Sequence, residues 1–328
     1  MEEKEEKKVI KKNKATIPTD DSMLKNNKQR VSIFKMPIDL EEIKISDEKQ
    51  GYTNIDSIIA KFQRGHYGER EELILKYIAE FKFLTSRQLN QLLAQDNLDF
   101  KAPRKLALKL EQLLKDKLIV AFHFETLEEK ANYRVYGLNK NGKYILDGKS
   151  YVTNWKPTDN LLDICGIKKN LAANQMLLAY LMKSKNNKGI IPRKSVNILS
   201  GRLEFNGIIE QGNNLAKIPI IVETVRREKN WEKNFSKRLK KIKEFFDDFE
   251  NVESGFNEIP FLVFLCEDDK HIIETYKQIV LNNFEIMKKP YFTHDVLQLN
   301  EELQTTWCEF IEENGKIKKQ ELNIPILK

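Results

Sequence analysis

The sequence has few cysteines, no long apolar run and no apolar segment near its start. Its three cysteines, Cys165, Cys266 and Cys308, stand far apart, so they form neither a metal-ligand pair nor a plausible disulfide framework. No stretch approaches the roughly 18 to 20 apolar residues that cross a bilayer. The first eight residues are mostly Glu and Lys, where a signal peptide would be apolar. We therefore expect reduced thiols and a cytoplasmic protein without a membrane span.

The charge balance favours an acidic partner without identifying one. The chain has 328 residues, with 56 Lys plus Arg against 49 Asp plus Glu, and its net charge is +7 at pH 7. That surplus is small for a chain of this length. The length itself leaves room for two domains of ordinary size.

Composition and periodicity divide the chain into three regions. Residues 1–50 mix both signs of charge with polar residues and contain few apolar ones, so we expect a disordered charged tail. Residues 31–36 are its exception, a short apolar stretch that could dock on a partner or on the body of the protein. Residues 51–150 and 151–328 carry the periodic apolar patterns of two folded domains.

The pattern over residues 51–150 predicts a winged helix-turn-helix. Apolar residues recur at helical spacing before Thr85, which forms a capping box with Gln88 and opens a second helix. Pro103 marks the first turn of a third helix, whose leucines face one way and whose basic residues face the other. Two strands rich in branched and aromatic residues follow, and a further helix starts at Asn139. A helical bundle with an extra hairpin is the alternative.

The third helix of this predicted motif suits the major groove of duplex DNA. A groove about 12 Å wide admits one helix, and exposed Arg and Lys can contact phosphates and base edges. The candidate DNA-binding residues are Arg87, Gln88, Lys101, Arg104, Lys105, Lys109 and Gln112. The alternative is that these side chains only solvate an exposed surface. The wing tip, residues 125–130, is net acidic, so we expect it to meet a protein and not a minor groove.

The pattern over residues 151–328 predicts a small mixed sheet flanked by helices. A long helix comes first, and then a β-hairpin over 203–225, a helix over 230–249, a buried strand over 260–266, a helix over 269–282 and a strand at 291–293. The predicted fold class is therefore α+β or α/β, with a winged helix-turn-helix followed by this domain. The same element order is typical of restriction-endonuclease-like folds.

A nuclease of that fold needs two carboxylates to hold a metal ion and a lysine on the central strand. The corresponding positions hold Asn206, Glu223 and Val225, and an amide and a valine leave too little charge to hold Mg²⁺. We therefore expect no metal site and no cofactor. Mg²⁺ enters only under a nuclease alternative, in which Glu204 and Glu223 are weak catalytic candidates.

Glu223 needs another explanation if it binds no metal. It follows an apolar strand, and a buried carboxylate is costly unless it is paired. The candidate partners are Arg226, Arg227, Lys237 and Arg238. The alternative is that Glu223 lies at the edge of the sheet, half in water.

Several short motifs together resemble the replication-relaxation proteins of plasmids and integrative elements. They are LTSRQL at 84–89, residues 104–118 with the hairpin after them, NKNG at 139–142, NLAAN at 170–174, FNG at 205–207, ETVR at 223–226 and YFT at 291–293. Members of that family join an N-terminal winged helix to a degenerate endonuclease-like domain. Asn206 and Val225 stand where the family has acids, so a metal site implied by the resemblance would lack two of its carboxylates.

The first functional hypothesis is a DNA-binding accessory protein of a plasmid or another mobile genetic element. It would act in replication initiation, in relaxosome assembly for conjugative transfer, or in transcriptional control. The implied partners are double-stranded DNA, a replication initiator or relaxase, and a twin subunit in a homodimer. The alternatives are a metal-dependent endonuclease or nickase, and a winged-helix repressor or antitoxin-like regulator.

Overall fold

The computed structural model describes residues 32–37, 41–47, 54–126, 133–212, 217–299, 302–313 and 316–327. These residues form eight α-helices and eleven β-strands, and the strands lie in two sheets. The helices are α1 (Ile55–Gln63), α2 (Glu69–Phe81), α3 (Ser86–Gln95), α4 (Pro103–Lys115), α5 (Lys140–Gly148), α6 (Ile164–Lys183), α7 (Trp231–Asp247) and α8 (Asp269–Leu281). The strands are β1 (Ile43–Ser46), β2 (Phe83–Thr85), β3 (Ile119–Glu125), β4 (Val135–Leu138), β5 (Asn187–Ile198), β6 (Gly201–Gly212), β7 (Lys217–Thr224), β8 (Phe261–Cys266), β9 (Tyr291–His294), β10 (Cys308–Glu313) and β11 (Lys316–Glu321).

The first sheet has the strand order β1-β3-β4-β2 and contacts α2, α3 and α4. The predicted capping box begins α3: the Thr85 hydroxyl accepts a hydrogen bond from the Gln88 N–H at 3.2 Å, and the Gln88 side chain accepts one from the Thr85 N–H at 3.0 Å. Pro103 is the first residue of α4, whose buried residues are Leu106, Leu110, Leu113 and Leu114. The predicted succession of three helices, a hairpin and a further helix is therefore present, with β2 added between α2 and α3.

Part of the predicted disordered tail is folded onto the body of the protein. β1 pairs antiparallel with β3, from Ile43 opposite Glu125 to Ser46 opposite Phe122. Residues 32–37 also lie on the protein, and Phe34 is only 4% exposed. The expectation of disorder was wrong for β1, because the edge of β3 supplies hydrogen bonds. Residues 32–37 belong to the apolar stretch for which docking was expected, and the core accepts its one aromatic ring. Within residues 1–50, the structure describes only 32–37 and 41–47.

The second sheet is a mixed sheet with the order β11-β10-β9-β8-β7-β6-β5. β5, β6 and β7 are antiparallel neighbours, whereas β7, β8 and β9 run parallel and are connected through α7 and α8. Parallel strands need such crossover connections. The predicted mixed sheet flanked by helices is confirmed. The predicted hairpin corresponds to β6 and β7, and its turn at 213–216 lies outside the described residues.

Helix α6 contacts both sheets and joins their apolar residues into a shared core. One cluster of buried side chains includes Phe83, Phe122, Phe124, Val135, Leu171, Met176, Leu177, Ile209, Val222 and Val263. The fully buried Asn174 of α6 donates hydrogen bonds from Nδ2 to the Phe81 carbonyl at 3.2 Å and to the Phe83 carbonyl at 2.8 Å. The two predicted domains are therefore held together by apolar burial and by hydrogen bonds to backbone groups.

Candidate functional site

The outward face of α4 combines exposed basic, polar and apolar side chains. Arg104, Lys105 and Gln112 are exposed, and Leu108 between them is 58% exposed. Among the described residues, no carboxylate pairs with Arg104 or Lys105. Lys109 differs, because it is half-buried and its Nζ lies 3.0 Å from a carboxylate oxygen of Glu71. The outward face is therefore carried by four residues, and Lys109 ties α4 to α2.

The other sequence-predicted DNA-binding residues are placed differently from one another. Lys101 precedes α4, is 89% exposed and pairs with Asp99 at 3.0 Å. Arg87 is half-buried near the start of α3. Gln88 is only 1% exposed, and its Nε2 donates a hydrogen bond to the Leu171 carbonyl of α6 at 2.8 Å. This corrects the candidate role of Gln88 as a DNA contact, because the second half of the chain covers its side chain.

The end of α4 is fixed by a buried carboxylate. Asp116 is 7% exposed and accepts hydrogen bonds from the Lys61 ammonium at 2.6 Å and from the Tyr67 hydroxyl at 2.5 Å. Burial, the hydrogen bond to Asp116 and the charges of Asp116 and Glu71 raise the pKa of Tyr67. The hydroxyl therefore stays protonated as the donor. These contacts hold the end of α4 against α1 and against the turn that precedes α2.

At the base of the predicted wing, the charge of one arginine is neutralised by two carboxylates. Arg134 precedes β4 and lies 2.5 Å from Glu111 of α4 and 2.9 Å from Asp47 beyond β1. The acidic wing tip predicted at 125–130 lies mostly in 127–132, outside the described residues. The guanidinium of Arg134 is therefore bound within the protein and is not available to an external anion.

A second candidate site lies where β6 and β7 separate, and it is called the fork between β6 and β7. Their pairing ends at Gly207 opposite Val222. Just beyond that pair, the Asn206 side chain accepts a hydrogen bond from the Thr224 N–H at 2.9 Å. Val225 is 4% exposed, and its side chain belongs to the apolar core. These positions are where a nuclease of the predicted type would place an acid and a lysine.

The carboxylate of Glu223 is bound by a guanidinium in this fork. Glu223 is 5% exposed, and Arg238 of α7 donates to its two oxygens at 2.7 Å each, from Nε and Nη2. Arg238 Nη2 also lies 2.6 Å from the Glu204 carbonyl. Burial alone would lower the pKa of Arg238, but the charge and hydrogen bonds of Glu223 raise it. The predicted pairing of Glu223 is present, with Arg238 as the partner.

Glu204 is not brought together with Glu223. Its carboxylate pairs with Arg193 of β5 and accepts a hydrogen bond from the Ser195 hydroxyl at 3.3 Å. The fork therefore holds one carboxylate, one amide and one guanidinium. A guanidinium placed between a carboxylate and a carbonyl oxygen satisfies the acceptors that a metal ion would otherwise use.

Charge clusters lie at the carboxyl ends of the parallel strands, where sequence reasoning had not placed any. Arg226, one of the candidate partners of Glu223, is 1% exposed and pairs with Asp295 instead, at 2.8 and 3.0 Å. Arg227 pairs with Asp268 at 2.8 Å and with Glu274 at 2.9 Å. Two arginines directly after a buried strand were the only signal in the sequence. Both are bound by carboxylates of neighbouring elements, so they form two ion-pair clusters at this edge of the sheet.

The segment 32–37 contacts carboxylates of both ion-pair clusters. The Ser32 hydroxyl donates to Asp295, and the Met36 N–H donates to Glu267 at 3.0 Å. The Phe34 ring meets the edge of the Tyr133 ring at a centroid distance of 6.0 Å. The segment therefore contacts both halves of the chain and covers this edge of the second sheet.

Two further properties of the described residues bear on the predicted classes. No group of three or more His, Cys, Asp and Glu side chains among them is arranged to hold a metal ion. Within the same residues, every helix is too short or too polar to span a membrane.

Comparison with known proteins gives one weak structural similarity. No family model and no curated protein matches the chain. One solved structure, restriction endonuclease FokI, is 14% identical and has a TM-score of 0.25. The similarity covers 69% of this chain and 41% of that chain, so the chain spans less than half the length of the protein it matches. A similarity this weak carries no argument about fold or activity, and the resemblance to replication-relaxation proteins stays a prediction.

Proposed function

We propose that this chain binds duplex DNA through a winged helix-turn-helix formed by α2 to α5 and the β3–β4 hairpin. In this proposal α4 enters the major groove. The observation that carries it is the outward face of α4, where Arg104 and Lys105 have no described carboxylate partner while the opposite leucine face is buried. Two uncompensated cations on an anchored helix suit a polyanionic ligand.

The same face has side chains that suit base edges as well as phosphates. Residues 104, 108 and 112 recur every four positions and so share one side of the helix. Arginine can donate two hydrogen bonds to guanine, glutamine can pair with adenine, and an apolar side chain can contact the methyl group of thymine. Arg104, Gln112 and Leu108 supply these three chemistries in one row. We therefore propose sequence-dependent binding.

We further propose that the protein is a DNA-binding accessory factor of a plasmid or another mobile genetic element. This role rests on the motif resemblance described above, and it includes replication initiation, relaxosome assembly and transcriptional control. The endonuclease alternative has less support, because Arg238 binds the carboxylate that would hold Mg²⁺.

The test compares two double variants in a mobility-shift titration over several salt concentrations. The R104A/K105A variant should bind duplex DNA roughly tenfold more weakly at low salt, with the salt slope shallower by about 0.9 for each phosphate that is no longer neutralised. The K277A/K289A variant is the matched control, because both lysines are exposed, lie outside the proposed motif and give the same charge change. Unchanged binding by R104A/K105A would rule out α4 as the interface.

Base reading is tested separately from phosphate binding. Duplexes selected from a random pool by the parent protein and by the Gln112→Ala variant should differ at one base position, while the salt slope stays the same. Identical selected sequences would contradict base reading by Gln112. A plasmid-nicking assay with Mg²⁺ completes the test, because cleavage that Glu223→Gln abolishes would support a nuclease instead.

A further inference from the structure

The outward face of α7 carries a row of lysines that form no ion pair with a described carboxylate. Lys233, Lys237 and Lys240 are exposed and Lys241 is half-buried, while the opposite face buries Phe235, Leu239, Ile242, Phe245 and Phe246. At about 100° per residue, the four lysines fall within about 100° of the helix circumference. Among the described residues, no carboxylate oxygen lies within 4.0 Å of their ammonium groups. These four residues are called the α7 lysine row.

Some lysines elsewhere on the second half of the chain do have acidic partners. Lys319 lies 2.5 Å from Asp269, and Lys217 lies 2.8 Å from Glu210. On the flank of α7 itself, Lys243 pairs with Asp247 at 3.5 Å. Single lysines such as Lys277 and Lys289 also have no described acidic partner, but the α7 lysine row places four such lysines on one helix face.

Lys237 has a like charge three residues away at Lys240 and four residues away at Lys233 and Lys241, and like charges at these spacings repel each other. Glu244, four residues after Lys240 and three after Lys241, offsets only part of the repulsion within the row. A bound polyanion would relieve that repulsion. The α7 lysine row is therefore better suited to an anionic partner than to water alone.

The pattern also indicates which anionic partner fits. Protein interfaces have an apolar or aromatic centre. The arc of α7 that holds the four lysines contains no apolar residue, since its other member is Glu244, which accepts a hydrogen bond from the Ser200 N–H at 2.6 Å. The row extends from Lys233 to Lys241, about 12 Å along the helix axis. Duplex DNA carries one phosphate charge per about 1.7 Å of its axis, so several phosphates lie within this length.

We propose that the α7 lysine row binds the sugar–phosphate backbone of duplex DNA, as a surface separate from α4. This inference rests on the proposed function and extends the DNA-binding surface to the second half of the chain. Lysine is a flexible point charge that contacts phosphates without reading bases. The row therefore adds affinity and salt dependence, while sequence preference comes from α4.

The test replaces the four lysines with glutamine and measures DNA binding by fluorescence anisotropy over several salt concentrations. The K233Q/K237Q/K240Q/K241Q variant should bind a long duplex roughly tenfold more weakly at low salt, with a salt slope shallower by about 0.9 for each phosphate that the row no longer neutralises. Its selected DNA sequence should be that of the parent. A second variant with arginine at the same four positions should keep parental binding, because the charges are retained.

The matched control replaces four exposed lysines outside the row, in the K185Q/K270Q/K277Q/K289Q variant, and should bind like the parent. Thermal melting of each variant separates weakened binding from impaired folding. If the row variant binds like the parent while R104A/K105A does not, the proposed function stands and this inference is overturned. If the control loses as much affinity as the row variant, only net charge matters and the inference fails. If the parent itself binds no duplex, both proposals fail.

Discussion

Removing the carboxylate of Glu223 tests whether the fork between β6 and β7 is a structural ion pair or a working site. The side chain of Glu223 is 6% exposed and that of Arg238 is 25% exposed. After Glu223→Ala, the guanidinium of Arg238 still donates to the Glu204 carbonyl and remains partly accessible to water. We therefore expect a loss of about 1 to 3 kcal/mol in the free energy of unfolding. That corresponds to a fall of several degrees in melting temperature.

The reverse variant should be more damaging. Arg238→Ala leaves a nearly buried carboxylate without its cation, and breaking a buried pair in this way costs about 3 to 5 kcal/mol. Because the two side chains bind each other, the E223A/R238A variant should lose less than the sum of the single losses, with a coupling of about 0.5 to 3 kcal/mol. Urea titration of the four proteins measures this cycle.

A matched control and a clear contradiction are available. Glu204→Ala removes a carboxylate whose side chain is 34% exposed in its pair with Arg193, and should cost about 1 kcal/mol or less. If Glu223→Ala melts like the parent but loses DNA binding or cleavage, the structural account of Glu223 is refuted. A one-site Mg²⁺ isotherm that disappears in Glu223→Gln would refute it as well.

Two further predictions concern buried polar groups. Burial, with the nearby charges of Arg227 and Arg226, lowers the pKa of His271 from 6.5 to about 3. Between those two pH values the unfolded chain therefore binds more protons than the folded one, and the free energy of unfolding should fall as the pH drops through that window. Urea titrations should show a weaker fall for His271→Gln. Equal pH dependence of the parent and the variant would contradict the assignment. Asn174→Ala leaves the Phe81 and Phe83 carbonyls without their shared donor, so stability should fall by about 1 to 3 kcal/mol, and an unchanged urea midpoint would show that these bonds contribute nothing.

The local elements could be read from the sequence because their causes lie within a few residues. The capping box of Thr85 and Gln88 and the first-turn Pro103 each depend on neighbours along the chain, and the structure has both. The leucine face of α4 follows from helical periodicity alone. The apolar run of β8 likewise indicated a strand buried on both faces. Local patterns of this kind determined most helices and the mixed character of the second sheet.

The tertiary structure decided which of these side chains remain available to a partner. Gln88 has the sequence pattern of a surface cap, yet α6 covers it. Glu223 had four candidate partners, and only the packing of α7 across the fork selects Arg238. β1 comes from a segment too short and polar to predict a strand, and it pairs because β3 has a free edge. Sequence periodicity specifies which side of an element is apolar, whereas burial of a polar group depends on residues distant in the chain.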